Sequence, residues 1–242
     1  MSVIIGGVEP FTTVDFPGRL AAVLFCLGCP LRCPYCHNPE LQDFKGKPFI
    51  SWEQFIEFLD SRKKLLDGIV FSGGEPLAQP DLYESMKTVK EMGFAVGLHT
   101  SGVNAAGLRR ILPLLDWVGF DVKTVFEAYE ERIQHSHAST VEQCLDMLVE
   151  ANIELEARTT LDPRVISSDE LRRLAHILAG KGIKTYALQE YRPHPSEKNP
   201  PAVSEITAFF TNKPLLAELN GLFENFIIRR AYDAASKKNS LF

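Results

Sequence analysis

Six short apolar runs, each set apart by a longer stretch of helical pattern, constrain this chain more than any other feature. The runs are 20–28, 68–74, 94–102, 117–123, 153–160 and 184–193. Between them, 51–66, 81–92, 105–115, 140–151 and 167–180 carry apolar residues at helical spacing. Ser51 with Glu53, and Ser168 ahead of Leu171, predict helix starts, and Gly93 and Gly180 predict stops. Strands alternating with helices make a parallel sheet with right-handed crossovers. Six units fall short of the eight that close a barrel. The expected class is therefore α/β, a partial (β/α)6 TIM-like barrel. The 242 residues suit one such domain over 1–242, with a cysteine loop at about 26–40 and a C-terminal extension at about 193–242. Within that extension, 192–201 reads as a proline-rich loop, and 214–233 can add a helix and a last short element.

Hydrophobic residues are 45% of the chain, enough to fill one core. The formal charge is −5, from 26 basic and 31 acidic residues, which argues against a general nucleic-acid binder. No run reaches the roughly 18 apolar residues of a membrane span. The first 19 residues lack the basic, apolar and small-residue order of a signal peptide. The chain reads as cytoplasmic. Four of its five cysteines lie between positions 26 and 36, too close for an ordinary disulfide framework.

These four are Cys26, Cys29, Cys33 and Cys36. They follow the first apolar run, at the strand end where α/β barrels build their sites. Thiolates suit zinc, copper(I) or iron–sulfur clusters. Pro30, Pro34 and Pro39 disfavour helix and suit a loop wrapped around a compact object. Three readings stand. A structural zinc site would use all four cysteines. A closed cluster for electron transfer would also use four. A three-cysteine cluster on Cys29, Cys33 and Cys36 would leave one iron open, with Cys26 and Cys144 as buried hydrophobes.

The cysteine spacing, with Tyr35 before the last cysteine, resembles the radical S-adenosylmethionine superfamily. Val14-Asp15-Phe16-Pro17-Gly18 and Cys36-His37-Asn38-Pro39 narrow the likeness to the activases of glycyl-radical enzymes. Among these it resembles activating proteins of anaerobic ribonucleoside-triphosphate reductases, over about residues 5 to 192. The resemblance implies a radical SAM type barrel and one [4Fe–4S] cluster on Cys29, Cys33 and Cys36 that binds S-adenosylmethionine. It implies a glycyl-radical enzyme as partner, the anaerobic reductase above all, and a flavodoxin- or ferredoxin-like electron donor. Tyr35, Asn38, Gly73, Gly74, Glu75, Thr100 and Arg158 are the cofactor-binding positions that it implies, and Asp121 and Lys123 the catalytic ones. A radical enzyme acting on a small molecule or another peptide is the alternative, and a zinc-stapled binding protein is the alternative of another class.

The residues themselves support a site at the strand ends. Two glycines at Gly73-Gly74 allow close backbone approach to a ligand, and Glu75 can meet an amino group. Asp121 and Lys123, two apart, share a strand face. Arg158 and Thr160 repeat that geometry, with Arg158 facing a ligand carboxylate or pairing with Glu156. Activases carry an aspartate where His99 stands, some in a monovalent-cation site, so His99 puts such a site in doubt. A loop-orienting hydrogen bond is expected of His37. Gln189, Tyr191 and Arg192 end the sixth run on the substrate side.

Overall fold

The structure, a computed structural model, describes residues 2–195 and 197–230. Among these residues, eight strands form one sheet in chain order. They are β1 (Ile5–Thr12), β2 (Ala21–Cys26), β3 (Gly68–Gly73), β4 (Ala95–Thr100), β5 (Trp117–Asp121), β6 (Glu154–Leu161), β7 (Thr185–Glu190) and β8 (Asn225–Arg229). The six expected runs are β2 to β7, and all six pair in parallel. The expected last short element is β8, a seventh parallel strand beside β7. The sequence reading missed β1, which runs antiparallel to β2 with two register shifts. Among the described residues, β1 and β8 are the outer strands and do not pair, so the barrel they form is open.

The crossovers are helices α1 (Trp52–Arg62), α2 (Leu82–Glu91), α3 (Ala105–Ile111), α4 (Tyr129–Arg132), α5 (Ala138–Glu150) and α6 (Ser168–Gly180). Two more, α7 (Val203–Thr211) and α8 (Lys213–Leu222), precede β8. Capping corrects two expected starts. Ser51 closes its box with Gln54, not Glu53, and Ser167, not Ser168, caps α6 with Glu170. Each side chain reaches the amide three residues on, so the box partner lies at the third helical position. Likewise α6 runs through Gly180 and turns at Gly182, where φ is +88°. Gly93 does end α2, with φ +94°. The loop over 192–201 has no regular structure, Ser196 lying outside the described residues along with 231–242 of the expected extension.

The two sheet faces bury different sets. Ala22, Leu24 and Cys26 of β2 join the large core under the helices. Ala21 and Val23 face the other way and pack with Phe16, Val70 and Trp117. That small apolar plug fills one end of the concave face and leaves the strand C-terminal ends free for polar groups. Among the described residues, no helix is long and apolar enough to cross a membrane.

Candidate active site

The cysteine loop leaves β2 through Gly28, whose φ is +101° and whose missing Cβ would fall 2.3 Å from the Phe44 ring. Glycine is the residue that this turn admits. The loop then closes on itself. Gly28 N donates to Leu41 O at 2.7 Å and Cys29 N to Gln42 O at 3.2 Å. Arg32 Nη1 donates to the carbonyls of Cys29 and Leu31, while Arg32 N donates to Gln134 O at 3.3 Å and ties the loop to the segment before α5. Cys29, Cys33 and Cys36 are partly exposed and line one cavity of about 270 Å³.

Cys26 is fully buried on the helical face of β2, away from this cavity. The four-cysteine readings therefore lose a ligand. Among the described residues, no three His, Cys, Asp or Glu side chains converge to hold a single metal ion. Three thiols on one wall suit a larger, soft-ligand cluster with an open corner. Burial pushes the Cys29 thiol up to about 12, with Glu75 adding to it. Burial also raises Cys33, against the pull of the Lys123 ammonium. Thiolates here need a positive charge close by, which bound iron supplies.

Gly73-Gly74-Glu75 forms the adjoining wall, and its glycines line the cavity while also serving a contact with the cysteine loop. A Cβ on Gly73 would meet Cys26 N at 2.4 Å, and one on Gly74 would meet Gly28 O at 2.4 Å. These residues let chain approach chain. Gly74 N donates to Cys26 O at 2.8 Å and Glu75 N to Gly28 O at 3.0 Å, so β3 clamps the start of the cysteine loop. Glu75 is buried. Its Oε1 accepts from Leu77 N at 3.0 Å and Thr100 Oγ1 at 2.6 Å, and its Oε2 from Ser101 N at 2.8 Å. Burial raises this carboxyl, the three donors opposing it. A carboxylate has about four acceptor positions. Three are taken, which leaves room on Oε2 for one more donor. The Thr100 hydroxyl is committed inside the protein, donating to Glu75 and accepting from Gly102 N at 3.1 Å.

The opposite wall is ionic. Arg158 Nε donates to Asp121 Oδ1 at 2.9 Å and Lys123 Nζ to Asp121 Oδ2 at 3.5 Å. Lys123 and Arg158 are both buried. Asp121 ends β5 and Lys123 lies two residues past it, yet both face the cavity. Burial alone would raise Asp121, but the Arg158 guanidinium and the Lys123 ammonium hold it below the usual carboxylate range. Burial works against the Lys123 ammonium, and the acidic side chains around it, Tyr35, Cys33 and Asp121 among them, outweigh that and push it well up. Lys123 Nζ also lies 5.8 Å from the centroid of Tyr35, inside the cysteine motif. Pairing with Glu156 is not what Arg158 does, since Arg229 forks that carboxylate at 2.6 and 2.8 Å.

Asp15, Asn38, His99, Thr160 and Gln189 line the same cavity. All twelve proposed site positions thus meet there. Tyr191 instead is buried under the loop after β7, its hydroxyl on Glu197. Arg192 stays exposed, close enough to His37 to lower it, burial being the larger cause. The sequence reading missed Ser72, Gln42 and Tyr129. The Tyr129 hydroxyl accepts from Lys123 N at 2.7 Å and so seats the ionic wall. A lone serine at a strand end carries no signal of its own.

Comparison with known proteins shows the family and the fold. Residues 23–175 match the model of the Radical SAM superfamily. A Methanocaldococcus jannaschii protein, provisionally named a glycyl-radical enzyme activating enzyme, is 28% identical over 93% of this chain and 100% of its own. The pyruvate formate-lyase-activating enzyme of Clostridium pasteurianum is 31% identical over 78% of this chain and 81% of its own. In shape, the chain resembles QueE from Escherichia coli with TM-score 0.57, 18% identity, and 94% and 93% of the two chains covered. It resembles Streptococcus suis SuiB bound to S-adenosylmethionine with TM-score 0.64 and 11% identity, over 89% of this chain and 51% of that one. These last two likenesses speak for the fold alone. The chain is a radical SAM enzyme, a member of the superfamily that works with a [4Fe–4S] cluster and S-adenosylmethionine, with activating enzymes of glycyl-radical enzymes among its relatives.

Proposed function

We propose that this enzyme is an activase that places a radical on a glycine of an anaerobic ribonucleoside-triphosphate reductase. One observation carries the reading: Asp15, Asp121 and Lys123 line the same cavity as Cys29, Cys33 and Cys36, although they come from three distant segments. The cluster, when bound and reduced, supplies the electron that splits S-adenosylmethionine and frees the adenosyl radical. Cys29, Cys33 and Cys36 hold it. The free acceptor position of Glu75 takes one N–H of the methionine ammonium, and Thr100 holds Glu75 in place. Tyr35 and Asn38 wall the ligand from the cluster side. Arg158 and Lys123 give the ligand carboxylate a positive surface, tempered by Asp121. A hydrogen atom moves only over contact distance, so a glycine-bearing loop must enter past Asp15. The open edge between β1 and β8 leaves a path for it. A flavodoxin- or ferredoxin-like protein is the donor in this reading, the cytoplasm the compartment, and the whole chain one domain.

The test mixes reconstituted enzyme, reductant, S-adenosylmethionine and purified anaerobic reductase. A glycyl radical signal on the reductase is expected. Cleavage of S-adenosylmethionine without that signal would reject this partner.

A further inference from the structure

The loop between β1 and β2 carries Asp15 to the cavity, and two contacts from the barrel interior hold it. One is apolar: the buried Phe16 ring stacks on Trp117, centroids 5.7 Å apart at 29°. The other is polar: His99 Nε2 lies 3.1 Å from Asp15 O. A carbonyl only accepts, so Nε2 carries the proton, and Nδ1 is then the acceptor for the Ser72 hydroxyl at 3.3 Å. The imidazole also meets Trp117 edge-on at 5.4 Å. It therefore bridges β3, β4, β5 and the loop. Burial lowers His99 well below the usual range, and Arg158 adds to this. The ring stays neutral, as the bridge requires. Within the loop, Thr12 Oγ1 donates to Asp15 Oδ2 at 2.6 Å and accepts from Val14 N, and Arg19 N donates to Phe16 O at 3.1 Å. These ties are local, and Val14, Pro17, Gly18 and Arg19 are exposed. Phe16 and His99 are therefore what join the loop to the barrel interior.

We propose that His99 is a positioning residue that fastens this loop to the barrel through the Asp15 carbonyl, and so holds at the cavity mouth the Asp15 carboxylate that Thr12 Oγ1 orients. The effect on radical transfer rests on the activase reading; the fastening does not.

Trypsin cleavage after Arg19 reads the fastening in the reconstituted enzyme. His99→Phe keeps a ring on Trp117 and removes both hydrogen bonds. His99→Gln offers an amide N–H near the place of Nε2. Cleavage at Arg19, followed by mass spectrometry, should be about fivefold faster in His99→Phe and close to wild type in His99→Gln. Equal rates in His99→Phe and wild type, or in His99→Gln and His99→Phe, would overturn the proposal. Should His99→Phe fail to load iron, Ser72→Ala takes its place, with faster cutting expected and an unchanged rate overturning. A second readout is the 5′-deoxyadenosine formed per glycyl spin on purified anaerobic reductase. It should rise in His99→Phe and return in His99→Gln. Faster cutting with an unchanged ratio would keep the fastening and reject the partner-facing role of Asp15.

Discussion

Two walls of one cavity are built by opposite means. The wall from β2 and β3 is held by backbone: Gly28, Gly73 and Gly74 sit where a single added carbon would strike a neighbour within 2.4 Å. The wall from β5 and β6 is held by charge: Asp121 sits between Arg158 and Lys123. A steric wall tolerates nothing and fails at once. An ionic wall answers by degrees, to pH and to the loss of a partner. The first shapes the seat of a bulky inorganic group, and the second sets the potential around a charged organic one.

The largest effect should come from Gly74→Val. Its Cβ would displace the Gly28 carbonyl that Glu75 N holds, at a cost of about 4 kcal/mol. Iron per chain after reconstitution should collapse. Full iron loading would show that the glycine faces open space and would erase the contrast between the walls.

Glu75→Ala comes next. It strips the acceptor from Leu77 N, Ser101 N and the Thr100 hydroxyl, a loss of about 3 kcal/mol for buried donors. Denaturant unfolding should show this, and calorimetry should show weaker S-adenosylmethionine binding. Unchanged binding would confine Glu75 to a structural part.

Asp121→Asn should cost about 2 kcal/mol, less than a sealed pair, because the carboxylate side chain is 34% exposed. Its pH dependence has a definite sign. The folded carboxyl titrates below its ordinary 3.8. Its stabilisation is therefore complete above pH 3.8 and lost as pH falls through the depressed value. The gap between wild type and variant should close in acid. A gap that stays constant with pH would remove the ionic character of this wall.

The smallest effect belongs to Cys26→Ser, with about 1 kcal/mol lost to a buried hydroxyl and iron content unchanged. Loss of iron equal to that of Cys29→Ser would return Cys26 to the ligand set.

Six of the strands were legible because buried parallel strands are continuous apolar runs. β1 was not. It is an edge strand with six exposed or half-exposed positions in a row, and Gly6, Gly7 and Pro10 read as breakers. The cysteine loop was legible from spacing and place. The contact of Gly73 and Gly74 with the cysteine loop was not, since a glycine that admits a ligand and one that also admits neighbouring backbone look alike in sequence. Arg158 posed the same difficulty. On paper Arg158 faces a ligand carboxylate or pairs with Glu156, and Asp121 is not in view until the register of β6 on β5 sets Arg158 opposite it.

Low-temperature electron-spin resonance of the reduced cluster, with and without S-adenosylmethionine, tests the central claim most directly. That claim is that three cysteines hold a cluster with one corner open to the ligand. The account predicts about four irons per chain, a spectrum that shifts on adding S-adenosylmethionine, and loss of the signal in Cys29→Ala, Cys33→Ala and Cys36→Ala alike. A spectrum indifferent to S-adenosylmethionine, or one that survives in any of the three variants while vanishing in Cys26→Ala, would contradict it.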